Sequence, residues 1–181
     1  MSILKIITVP NPVLKKKSVL VESIDDDLRS TLDSMLNTMY LNGGIGLAAV
    51  QVGLLKRMMV IDLRHMELEN QSDSELIYPL YIINPQIIDS SKDFVTEYEG
   101  CLSIPGENVE VSRPSAITLS YTDNHNISQK IVVRDFLARV IQHENDHLNG
   151  KLIIDYLGYN RRNIVLSKIN KFNKKKINKV E

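Results

Sequence analysis

Three features of this 181-residue sequence predict an α+β fold. Short runs of strand-like residues recur between positions 57 and 134. A strongly amphipathic segment precedes them, and a second helical segment follows directly on a hairpin pattern. The length suits one domain with a substantial core. The mix of 43% hydrophobic and 24% charged residues is that of an ordinary soluble globular protein.

Ile3–Val9 reads as a strand or extended arm, stopped by Pro10-Asn11-Pro12. Ile24-Asp25-Asp26-Asp27 reads as a helix start, because aspartates cap the free N–H groups and suit the positive end of the dipole. Leu28, Leu32, Met35, Leu36, Met39 and Tyr40 then recur at spacings of three and four, predicting a helix that closes near Asn42-Gly43-Gly44. Gly43–Gly53 is too rich in glycine for a regular element and too apolar for an exposed loop, which suits backbone lying close against something. Within it Gln51 is a lone amide among apolar neighbours; it must staple the backbone or face a ligand.

Arg57–Leu63 is a strand candidate, and Arg64–Tyr78 a polar surface loop containing His65. Short strands are expected at Leu80–Asn84 and Gln86–Ile88, on either side of Pro85. Phe94–Leu102 leads into Glu99-Gly100-Cys101-Leu102-Ser103, which holds the only cysteine. Ser115–Thr122 and Ile127–Arg134 form a predicted hairpin across Asp123-Asn124-His125-Asn126. Asp135 is the expected cap of the next helix, which Gly150 ends. No repeat or long linker divides the chain, so residues 1–158 read as one domain and 159–181 as a basic C-terminal helical tail. Ile164, Leu166, Ile169 and Phe172 are that tail's expected apolar side.

The formal net charge is zero, so no overall field favours nucleic acid. Eight of the 22 basic residues nevertheless fall in 159–181, against Glu181 alone, which makes the tail a solvated helix or an arm for an anionic partner. No window reaches the ~18 continuous apolar residues of a membrane span. The first residues lack a signal-peptide pattern. With a single cysteine no intrachain disulfide forms, and a reducing cytoplasm is the expected compartment.

The chemistry concentrates in Gln142-His143-Glu144-Asn145-Asp146-His147. On a helix of ~3.6 residues per turn, histidines four apart lie about 40° from each other and share a face. A glutamate beside the first can reach a metal-activated water without ligating the metal itself. A third ligand is required. His65 and His125 lie in polar loops and the acids are too many to choose among, whereas Cys101 is unique and flanked by glycine. Cys101, His143 and His147 together leave one coordination position open, and Glu144 is placed as the base.

The segments Gly44-Ile45-Gly46-Leu47-Ala48-Ala49-Val50-Gln51, Glu99-Gly100-Cys101-Leu102-Ser103 and Gln142–His147 resemble, in order and spacing, the three signature motifs of the peptide deformylases. Pro10-Asn11-Pro12-Val13-Leu14 resembles that family's start, so the likeness covers nearly the whole chain. It implies antiparallel β-sheets packed around a central helix, and removal of the N-formyl group from the initiator methionine of nascent bacterial or organellar proteins. It implies Cys101, His143 and His147 as ligands of one divalent metal ion, usually Fe²⁺, replaceable by Ni²⁺, Co²⁺ or Zn²⁺. It makes Glu144 general base and then proton donor, and places the Gln51 amide and the Leu102 N–H at the oxyanion. The substrate would lie against Gly44, Ile45, Gly46, Glu97, Glu99, Gly100, Phe136, Arg139 and Val140, with Glu99 and Asp146 steadying the ligands. The basic tail would meet the ribosome.

Two departures stand out. Arg139 occupies a pocket position that is usually apolar in the family, and Glu97 lies where a pocket-lining residue is expected; either they pair at the rim, narrowing the pocket or altering side-chain preference, or Arg139 snorkels past an intact apolar pocket. After Pro105-Gly106 the family's frequent Arg-Gly is replaced by Glu107-Asn108-Val109. A zinc peptidase cutting internal bonds and a catalytically idle peptide- or ribosome-binding homologue are the other readings.

Overall fold

Asp25 starts the first helix, α1 (Asp26–Leu41), by accepting the Leu28 N–H on its side chain at 2.8 Å. The computed structural model describes residues 2–64, 66 and 76–177, with side chains as far as residue 171. Most of the expected polar loop, His65 included, lies outside the described residues. The arm before α1 is extended but joins no sheet. Leu4 donates to Thr38 Oγ1 at 2.9 Å, Ile7 to the Gln51 carbonyl at 2.8 Å and Val9 to the Ser103 carbonyl at 3.0 Å.

The glycine-rich segment holds more regular structure than its composition suggests. It contains a short strand, β1 (Gly46–Ala48), and a 3-10 turn over Ala49–Val52. Strands β2 (Met58–Ile61), β3 (Leu80–Ser90), β4 (Phe94–Cys101), β5 (Ile104–Pro114), β6 (Ala116–Thr122) and β7 (Ser128–Arg134) follow, then helices α2 (Asp135–Leu148) and α3 (Tyr159–Ile177). Among the described residues they make a five-stranded sheet of order β1-β2-β3-β6-β7 and a β4-β5 pair, with every pairing antiparallel.

Both faces of the larger sheet are buried, which is why β2 reads Met-Met-Val-Ile with no polar alternation. Leu47, Met58 and Val60 point to one side and pack with Leu32, Met35 and Met39 of α1. Ala48, Met59 and Ile61 point to the other and pack with Leu137, Ala138 and Ile141 of α2. A third cluster joins Ile104, Val109 and Val111 of β5 to Leu152, Ile153 and Ile154. Val165 and Ile169 of α3 complete it.

Several expectations are corrected. β3 runs unbroken through Pro85, because a register shift between Ile83 and Gln86 leaves the proline outside the regular hydrogen-bonding ladder. β5 was not anticipated: Gly106, at φ +76°, and a run of charged residues hide the inward alternation of Val109, Val111 and Arg113. Asp135 does not cap α2. Arg134 holds the cap position, and Asp135 is the first helical residue, at φ +51°, with its N–H on the Ser115 carbonyl at 2.8 Å. Asp is among the few residues that tolerate that backbone region. α3 turns Val165 and Ile169 inward while Ile164 is exposed, so its buried stripe is offset from the predicted one. Phe172 lies beyond the described side chains.

Asp62, at the end of β2, ties the sheet to the glycine-rich segment: its N–H donates to the Ile45 carbonyl at 2.9 Å. Its buried carboxylate accepts from the Tyr40 hydroxyl, and from Arg64 Nε at 3.0 Å and Nη2 at 2.5 Å. Burial opposes ionisation, but these donors outweigh it and hold the carboxyl at about 2, below its ordinary 3.8. A depressed folded-state pKa contributes stability that is present above the unfolded value and lost as the pH falls through the folded one. Denaturant titrations between pH 5 and pH 2 (roughly the window of that linkage) are therefore expected to give a shallower acid decline for Asp62→Asn than for the parent.

Candidate metal centre and substrate cavity

Helix α2 carries its chemistry on the face turned into the protein: Arg139, His143, Glu144 and His147 are all buried. The four-residue spacing sets the two imidazoles near each other, ring centroids 5.0 Å apart. β4 delivers Cys101 to the same point, and the Sγ lies 3.2 Å from His147 Nε2. The candidate ligand atoms of Cys101, His143 and His147 all fall within 4.8 Å of one another. One soft thiolate and two imidazoles are donors for a borderline divalent transition metal.

The remaining contacts fit that use. Glu99 Oε2 sits 2.9 Å from His143 Nδ1. Burial favours the neutral acid, yet hydrogen bonds from His143 and Arg113 hold Glu99 at about 2. An ionised carboxylate only accepts, so Nδ1 carries the proton and Nε2 is left as the ligand atom. Burial keeps His147 well below the ordinary imidazole range, in the neutral form that binds metal. Burial pushes Glu144 up to about 7 against the opposing pull of His143, and its Oε2 is buried without a hydrogen-bond partner. Gln51 does both things a buried amide can do. Its Oε1 accepts the Ala48 N–H at 2.8 Å, and its Nε2 faces Ser103 Oγ at 3.2 Å and Cys101 Sγ at 3.7 Å.

A cavity of about 1560 Å³ opens onto this cluster. Gly44, Ile45, Gly46, Gln51, Glu99, Gly100, Leu102, Phe136, Arg139 and Val140 line it, together with Cys101, His143 and Glu144. Glu97 does not; it stands behind Arg139, half exposed, and pairs with Arg139 Nε at 2.9 Å. Arg139 therefore does not snorkel. Asp146 steadies no ligand histidine: it accepts from Arg113 Nη1 at 2.8 Å and Tyr156 at 2.7 Å, while His147 Nδ1 has no partner. The sequence reading missed Arg113, whose Nε and Nη2 grip Glu99 at 2.7 and 2.9 Å. It also missed the extended arm, since Ile3–Ile6 and Thr8 line the cavity. The signal for Arg113 was its place in the Val109-Val111-Arg113 alternation; the arm left none.

A buried carboxylate beside three side chains that could hold one metal ion, at the end of a large cavity, is the arrangement of a metal-dependent hydrolase. The polypeptide deformylase family model matches residues 3–163. The chain is 52% identical to the peptide deformylase of Rickettsia canadensis over 172 residues, 94% of this chain and 97% of the relative. It is 44% identical to that of Orientia tsutsugamushi strain Boryong, over 94% of this chain and 96% of the relative. The crystal structure of the Ehrlichia chaffeensis peptide deformylase superposes with a TM-score of 0.87 at 40% identity, over 95% of this chain and 97% of that one. A second structure of the Ehrlichia enzyme, in complex with actinonin, superposes at 0.86 over 94% and 98%. The chain belongs to the polypeptide deformylase family. It is an enzyme of that metal-dependent class, which removes the N-formyl group from newly made proteins.

Gly46 packs directly on Glu144: a Cβ there would lie 2.5 Å from its Oε1. Gly46→Ala must displace that carboxylate, and kcat/KM for a formylated peptide is expected to fall roughly tenfold to a hundredfold. At Gly44 the nearest obstacle is the flexible end of Leu102, at 2.8 Å, so Gly44→Ala is expected to cost less. Equal losses in the two variants would contradict this account.

Proposed function

We propose that the chain hydrolyses the formamide of N-formyl-methionyl peptides at the cluster of Cys101, His143 and His147. The observation carrying this reading is the convergence of those three ligand atoms within 4.8 Å beside the buried Glu144 carboxylate, whose Oε2 has no hydrogen-bond partner. One divalent ion held by the thiolate and the two imidazoles would acidify a water molecule and polarise the formyl carbonyl. We take Fe²⁺ as the native ion, with Zn²⁺, Ni²⁺ and Co²⁺ suited to the same donors.

Glu144 accepts the proton of the attacking water and returns it to the departing amine. Its burial, which raises its affinity for a proton, suits both halves of that task. The Gln51 Nε2 donor and the Leu102 N–H stabilise the negative oxygen that develops on the formyl carbon. β1 pairs with β2 on one side only, so the edge formed by Gly44, Ile45 and Gly46 is open to an extended peptide. Gly100 lets the substrate backbone come close to β4, and Phe136, Arg139 and Val140 receive the first side chain.

Residues 1–158 form the catalytic unit in this reading. Residues 159–181 form a basic appendage, with Arg161, Lys168 and Lys171 exposed on α3. The ribosome is its proposed partner and the bacterial cytoplasm its proposed compartment. No helix among the described residues is long and apolar enough to cross a membrane.

A formyl-Met-Ala-Ser peptide is expected to release formate, while acetylated and unformylated versions stay intact; cleavage at internal bonds would instead identify a peptidase. Glu144→Gln is expected to retain its metal and lose roughly a hundredfold to ten-thousandfold in kcat, the usual contribution of a general base. Deleting Lys171–Glu181 is expected to reduce co-sedimentation with ribosomes at moderate salt and leave peptide turnover unchanged.

A further inference from the structure

Arg139 enters the cavity wall one helical turn before His143, and most of its hydrogen-bonding capacity is spent inside the protein. Nε pairs with Glu97 at 2.9 Å and Nη2 donates to the Val95 carbonyl at 2.7 Å. Nη1 donates to Glu99 Oε1 at 2.7 Å and to the Val111 carbonyl at 3.0 Å. Three of the five N–H donors of a guanidinium are thereby hydrogen-bonded, on groups of both β4 and β5, and Nε adds the ion pair to Glu97.

Glu99 is correspondingly filled. Oε1 accepts from Arg113 Nε and Arg139 Nη1, and Oε2 accepts from Arg113 Nη2 and His143 Nδ1. A carboxylate offers about four lone-pair directions, so Glu99 has no freedom left to rotate. Two of its three partner residues, Arg139 and His143, come from adjacent turns of α2. The carboxylate is thus bolted to that helix at two points, and it lies two residues before Cys101 on β4. Without Arg139, the β4 carboxylate would meet α2 through the His143 ring alone.

We propose that Arg139 is a positioning residue for the metal centre, acting through Glu99 to fix the separation of the Cys101 sulfur from the imidazoles of His143 and His147. This rests on the reading of those three residues as metal ligands. The guanidinium supplies no ligand and touches no reacting atom. It makes the site stiff, so that an ion, once bound, leaves slowly. Glu97, on the solvent side, keeps the guanidinium turned toward Glu99.

The test uses the full chain loaded with Co²⁺ and compares parent, Arg139→Met, Arg139→Lys and Glu97→Gln. Visible absorption reports the ligand field and the sulfur–cobalt charge-transfer band, and a chelator measures how fast the ion is lost. For Arg139→Met, loss roughly tenfold to a hundredfold faster is expected, the usual effect of removing a group behind a ligand. Its ligand-field bands should shift while the sulfur band persists. Arg139→Lys should fall between it and the parent, because an ammonium cannot span β4, β5 and Glu99 together. Glu97→Gln should show the smallest effect. A folded Arg139→Met with the parent's spectrum and release rate would overturn the proposal. Should that variant not fold, parental behaviour in Arg139→Lys would overturn it equally. Failure of the parent to give any sulfur–cobalt band would instead refute the metal-centre reading itself.

Discussion

The arrangement depends on one buried carboxylate. Glu99 sits between the two-stranded sheet and α2, where an unpaired negative charge would be prohibitively costly. Arg113 and Arg139 meet that demand, and His143 takes the remaining lone pair. The two guanidinium charges are balanced in turn by Asp146 on one side and Glu97 on the other. Such buried ion networks contribute little net stability compared with an apolar core. What they do is permit one geometry and penalise others, because each donor has a single acceptor position available. In this protein that geometry is the relation between β4, which carries the sulfur, and α2, which carries the imidazoles.

Around this pivot the larger sheet serves as a frame. Its strands bury one set of side chains against α1 and the alternate set against α2, so the helix bearing the histidines is fixed against a surface packed on both sides. The same sheet ends at β1, whose outer edge faces the cavity. The closeness of that strand to the site is measured by Gly46, where even a methyl group would strike Glu144. The Glu144 carboxylate, the cluster of Cys101, His143 and His147 and the open strand edge are therefore one packing problem, and a change at any of them is felt by the others.

Much of this was legible in the sequence because it is local. A helix puts residues four apart on one face, so the spacing of His143 and His147 already predicts that they can share one metal ion. The apolar spacing of Leu28–Tyr40 and the two strands before α2 followed from periodicity in the same way. Gln51 stood out because a lone amide among apolar residues must have a partner. Cys101, being the only cysteine, could be joined to the histidines across more than forty positions.

Other features were settled by contacts that no local pattern carries. Arg113 looks like an ordinary surface charge until the fold sets Glu99 against it, Arg139 stands out in the sequence only as a charge at a pocket position, and Asp146, beside His147 in the chain, turns out to serve Arg113. Pro85 suggested a break in a strand that a bulge allows to continue, and the buried stripe of α3 is chosen by the β5 surface beneath it. Spacing along the helix predicted that His143 and His147 lie together, and the fold sets Cys101 beside them. The partners of the buried charges, and so the distance between thiolate and imidazoles, were decided only in three dimensions, because an ion pair is selected by proximity and burial rather than by separation along the chain.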